Sequence, residues 1–242
     1  ISIAGGSGDY TESGFVSVKG GSTTSATGTG GFLSLSSGVG TAKSSGLIVV
    51  RSANAGVAGV SGSLQFKTGT TSTGSSGIVS ISTGAANGAN GKSGAIVLSA
   101  GLSTASSGGD IVAFGGSATT NTGGMISLTS GLGIAKSSGS IVFQTANAGV
   151  AGVSGSLSFS SGTTSSGSSG SVSLVTGAAT VGKSGDILLS VGIGAQDQGG
   201  AIIGSSGSST AVTGGAISLS SGKGVPTSSG AVTLRTANAG TN

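Results

Sequence analysis

The chain is 242 residues long, with 53 glycines, one Pro and no Cys, His or Trp. Charged residues are 6% and the net charge is +4. These values exclude a collagen helix, a disulfide scaffold and any His- or Cys-based catalytic or metal centre. The scarcity of Leu, Glu, Lys, Gln and Arg beside so much Gly and Ser argues against helices. A flexible Gly/Ser linker is the competing reading. It is disfavoured because 35% of residues are hydrophobic and these fall in register.

The chain opens on Ile1-Ser2-Ile3, a strand-like alternation with no signal peptide ahead of it. Gly5-Gly6-Ser7-Gly8-Asp9 then comes one residue short of the calcium nonapeptide G-G-x-G-x-D. Calcium requires about six to eight oxygens, several of them anionic. Asp9, Glu12, Asp110, Asp186 and Asp197 are the only acids, so no calcium ladder is expected.

From here a marker glycine recurs at 14, 31, 46, 62, 77, 94, 109, 124, 139, 155, 170, 185, 200, 215 and 230. Of the fourteen intervals, ten are 15 residues, two are 16 and two are 17. The second and fourth residues after each marker are apolar, a period of two that places both on one face of a strand. The expected core is Val79, Ile81, Ile96, Leu98, Ile126, Leu128, Ile141, Phe143, Leu157, Phe159, Val172, Leu174, Ile187, Leu189, Ile217 and Leu219. The residue between them is most often Ser, as at Ser80, Ser127, Ser158 and Ser173.

A single strand cannot bury that stripe. Stacking coil on coil at about 4.8 Å would turn it into a column. The expected fold is an all-β parallel β-solenoid (β-helix), about 15 residues per coil and about 15 coils, continuous over 1–242. Fifteen markers would make a rod roughly 70 Å long. Thr70-Thr71-Ser72-Thr73, Leu132-Gly133-Ile134-Ala135 and Thr163-Thr164-Ser165-Ser166 would form the second, thinner wall. Gly-Gly and Ser-Gly at the corners would supply positive φ. The residue after the marker is sometimes apolar and outward (Phe15, Phe32, Leu47, Ile78, Met125), which offers a lateral contact.

A longer repeat overlies the short one. Residues 42–62 and 135–155 match at 17 of 21 positions at an offset of 93, and a third copy starts at Ser228. Six coils make a superrepeat of about 92 residues, cut mid-unit at both ends, so the chain reads as an excerpt of a longer array. Stacked coils would set the equivalent Lys43 and Lys136 about 28 Å apart, beyond the roughly 8 Å screening length. Asn54, Asn147 and Asn238 mark an Ala-Asn-Ala-Gly turn, where Asn is expected in the left-handed region.

Gly177-Ala178-Ala179-Thr180-Val181-Gly182-Lys183-Ser184 fits the phosphate-binding G-x-x-x-x-G-K-[ST]. That loop needs a following helix, and Gly185-Asp186-Ile187-Leu188-Leu189 reads instead as the next strand. The cations are scattered singly, so no nucleic-acid footprint is present. There is no base, thiol or close carboxylate pair, and no apolar run long enough to span a membrane. No enzyme activity, catalytic residue, metal or cofactor is expected.

With these repeats the chain resembles the giant Gly/Ser/Thr-rich repetitive β-solenoid proteins of microbial and algal cell surfaces, including adhesin stalks and extracellular filament subunits. The resemblance implies an extracellular or cell-surface location and a stiff structural fibre, sheath or appendage. Subunits would self-associate end to end and laterally, with outward Ser and Thr open to O-linked glycans. The alternative is an ice-binding or adhesive module, which the irregular outward positions and lack of a Thr-x-Thr file disfavour.

Overall fold

The structure, a computed structural model, describes residues 1–7, 14–88, 90–195, 198–225 and 227–237. The described residues contain neither helix nor β-strand. The expected all-β solenoid, and with it the β-helix, is therefore corrected. The chain does alternate apolar arms with turns at the expected spacing, but successive arms are not joined by a backbone ladder.

The reason lies in the half of each repeat read as a second wall. At eight repeats the marker glycine donates its N–H to the carbonyl of a glycine eight or ten residues earlier. In the first unit, Ile1–Ile126, Gly14 bonds Gly6 at 2.9 Å, Gly31 bonds Gly21 at 2.8 Å and Gly124 bonds Gly116 at 2.8 Å. In the second, Ser127–Asn242, Gly139 bonds Gly131, Gly215 bonds Gly207 and Gly230 bonds Gly222, each at 2.9 Å. Where the intervening residues are described, as between Gly139 and Gly131, the bond closes them into a turn pinched at its neck. Segment 132–135 lies within such a turn, while 70–73 and 163–166 lie in repeats without the neck bond and are bent by the Thr71 and Thr164 hydroxyls; none of the three builds a wall. In those eight repeats the return half is consumed by the turn and nothing is left to complete a coil; in the repeats with open necks no backbone ladder joins the described arms either.

Twelve backbone-to-backbone hydrogen bonds join described residues. A folded domain of this length carries about 160. Eight close the necks. The other four are local turns, including Gly59 N–H to Gly56 O and Gly152 N–H to Gly149 O, both 3.4 Å.

No described residue is buried, and the stripe forms no column inside the chain. Ile141 is 48% exposed and Val142 74%; Ile187 is 53%, Leu188 87% and Leu189 68%. The alternation of the sequence thus survives as an alternation of accessibility, as extended arms require. The corner expectation is also corrected. Among the described residues only Gly167 (φ 105°) and Gly182 (φ 107°) take positive φ, and no other residue type does. Without stacked coils, the six-coil separation of Lys43 and Lys136 falls as well.

Candidate functional site

The chemistry of this chain resides in its arms, and the necks decide how the arms are presented. The residue nine to eleven places before each marker sets how closely two backbones approach. Where it is Gly5, Gly20, Ser37, Ala100, Gly115, Ser130, Ser206 or Ser221, the marker's hydrogen bond forms. Where it is Thr68, Thr83, Thr145, Thr176 or Val191, no such bond is present. A Cβ on the marker would stand 3.5 Å from the Thr68 γ-methyl at Gly77, 3.6 Å from that of Thr83 at Gly94 and 3.6 Å from that of Thr176 at Gly185. The branched side chain lies over the marker and holds the strands of the neck apart. Ser52 and Ser161 also precede open necks, so a small residue is necessary for closure and does not guarantee it. Ser37, Gly115, Ser130, Thr145 and Thr176 of this set are among the few described residues that are partly covered.

A second determinant sits six residues before the marker. There the chain carries either a hydroxyl or a glycine at every marker but Gly124 and Gly185, which have Ala118 and Ala179. The Thr71 Oγ1 accepts from the Gly74 N–H at 3.1 Å. The Ser103 Oγ accepts from the Ser106 N–H at 3.0 Å. The Ser209 Oγ accepts from the Val212 N–H at 3.0 Å. Thr164 donates its hydroxyl to the Ser166 carbonyl at 2.9 Å. Such side-chain bonds replace the backbone bond a turn would otherwise need. At Gly40, Gly133 and Gly224 the backbone instead folds directly onto the carbonyls of Ser44, Ser137 and Ser228, where a Cβ would overlap them. Both determinants escaped the sequence reading, although counting back from each marker exposes them.

The expected core pairs lie on arms and are about half exposed or more. Phe143 and Phe159, on successive arms, meet edge to face with centroids 6.4 Å apart and rings at 82°. These two arms therefore meet through side chains. Backbone N–H and C=O groups project roughly at right angles to side chains in an extended segment. Within the arms these groups have no backbone partner. The residues after the markers project outward as expected: Phe15, Phe32, Leu47, Ile78 and Met125 are all largely exposed.

Asn54 and Asn147 do not turn the chain themselves. Neither has positive φ, and the bonded turns begin two residues later, at Gly56 and Gly149. Asn238 lies outside the described residues. A shallow open hollow is lined by Arg51, Ser52, Ala53 and Asn54. No group of metal-ligating side chains occurs among the described residues, while Asp9, Glu12 and Asp197 fall outside them. In the loop resembling a phosphate cradle, the Lys183 Nζ bonds the Asp186 carboxylate at 2.8 Å, and no helix follows. Among the described residues no helix is long and apolar enough to cross a membrane. No family model matches the chain, and no curated protein or solved structure matches it.

Proposed function

We propose that this protein is a structural, self-associating component of a stiff extracellular or cell-surface fibre, sheath or appendage. Its role is mechanical and not enzymatic. The observation that carries this reading is surface area. The chain exposes 23,804 Å², where a folded monomer of its mass exposes about 9,300 Å² and its unfolded chain about 32,000 Å². A chain that buries so little by itself gains little from hydrophobic burial to offset the entropy of ordering. Association with further copies supplies the missing burial. Low charge supports the same reading, since 6% charged residues give little repulsion between like chains.

The test is sedimentation of the purified full chain over a concentration series, with electron microscopy of the same samples. Growth into elongated polymers above a critical concentration is expected. A chain that stays monomeric throughout the series would overturn the proposal.

A further inference from the structure

We propose that the arms of one chain pair through their backbones with the arms of a second copy, in parallel and in register, so that the sheet of the assembled protein exists only between chains. This deepens the self-association reading above and rests on it. Three observations identify a second copy as the occupant.

The first is the run of unpaired groups along the arms. In the unit Ser127–Asn242, successive arms are held side chain to side chain by Phe143 and Phe159. The amides of residues 140–144 and 156–160 have no backbone partner. A run of unpaired N–H and C=O groups is a template for another extended chain.

The second is area. The excess of 23,804 Å² over the roughly 9,300 Å² of a folded monomer is several times the roughly 1,200–2,000 Å² that a stable interface buries. Only a partner covering arm after arm removes an excess of that size.

The third is register. The comb of arms is irregular: intervals of 17, 15, 16, 15 and 17 residues precede a run of 15s interrupted by one 16. A copy in register places every arm on its own counterpart. A copy displaced by one superrepeat sets the 17-residue interval from Gly77 to Gly94 against the 15-residue interval from Gly170 to Gly185. The turns then mismatch, and six arms at the end have no counterpart. A one-residue slip would carry each apolar face to the opposite side. In-register stacking also places each Lys above its own copy at about 4.8 Å, so assembly is favoured by added salt.

The absence of Cys allows a single nitroxide on the full chain as Ser158→Cys, midway between Leu157 and Phe159. In polymers of fully labelled chains, labels about 4.8 Å apart collapse the three-line spectrum to one exchange-narrowed line. Dilution with unlabelled chain restores three lines. Amides of 140–144 and 156–160 exchange at least about tenfold more slowly in the polymer than in the dissolved chain. Ser173→Cys, at the same position on another arm, serves if the first variant does not assemble. Polymers in which labels stay isolated and arm amides exchange freely overturn the pairing while self-association stands. Failure of the unlabelled chain to polymerise removes both. Arm amides already protected in the dissolved monomer also overturn the pairing, because the partner would then lie within the chain.

Discussion

Phe143 and Phe159 touch edge to face across two successive arms, 6.4 Å between centroids. This geometry places ring hydrogens of one against the π face of the other and adds about 0.5–1.5 kcal/mol to area burial. The rings remain 55% and 66% exposed, so the lower part of that range applies. Phe159→Ala is expected to raise the critical concentration for polymer growth by about two- to fivefold beyond the effect of Leu157→Ala. A double-mutant cycle with Phe143→Ala, read by sedimentation, checks the coupling. Strict additivity would show that the rings do not cooperate.

The neck at Gly139 closes because Ser130 is small. Its Cβ lies 3.4 Å from where a Cβ on Gly139 would stand, and Gly139 N–H reaches Gly131 O at 2.9 Å. Ser130→Val introduces the branching present at every open neck with Thr or Val. Loss of a single bond, about 1 kcal/mol, is expected to speed exchange of the Gly139 amide roughly fivefold, measured by NMR. The Gly215 amide, bonded at 2.9 Å in the neck of a different repeat, should not change.

Gly133 and Gly131 differ sharply in what an added methyl would meet. A Cβ at Gly133 stands 2.6 Å from the Lys136 carbonyl oxygen and overlaps that of Ser137, whereas Gly131 has nothing within 4 Å. Gly133→Ala is expected to cost about 1–3 kcal/mol and to raise the critical concentration about fivefold or more. Gly131→Ala should be neutral or slightly favourable, because Ala restricts the unfolded chain. Equal effects of the two would refute the assignment of Gly133 to a backbone crossing.

Ser158 tests pairing at a single amide. Ser158→Pro removes one N–H from the arm between Leu157 and Phe159, about 1 kcal/mol of hydrogen bonding. The expected rise in critical concentration is about fivefold or more, against little change for Ser158→Ala. Turbidity onset across a dilution series reads both.

Lys183 and Asp186 form an ion pair at 2.8 Å, with side chains 78% and 74% exposed. Solvent screening leaves such a pair at most about 1 kcal/mol. Asp186→Asn and Lys183→Ala are expected to assemble like the parent chain. Equilibrium dialysis with ATP should show no binding, since the loop lacks the helix N-terminus that cradles phosphate. Saturable binding lost in Lys183→Ala would refute that.

The sequence by itself determined the period, the markers and the two-residue alternation. These follow from local chemistry: glycine spacing and the apolar pair at positions two and four persist in the accessibility of Ile187, Leu188 and Leu189. Only the tertiary structure decided what the remaining residues of each repeat do. The segments 132–135 and 163–166 have the composition of a thin second wall, yet the bond from Gly139 to Gly131 closes the first into a turn, and the Thr164 hydroxyl bends the second. Composition cannot separate the two outcomes, because small polar residues suit both a wall and a turn. What the fold adds is whether a marker amide finds its acceptor eight or ten residues back, a choice that follows one side chain, such as Ser130 or Thr176, at the neck, and neither closed nor open necks build a wall among the described residues.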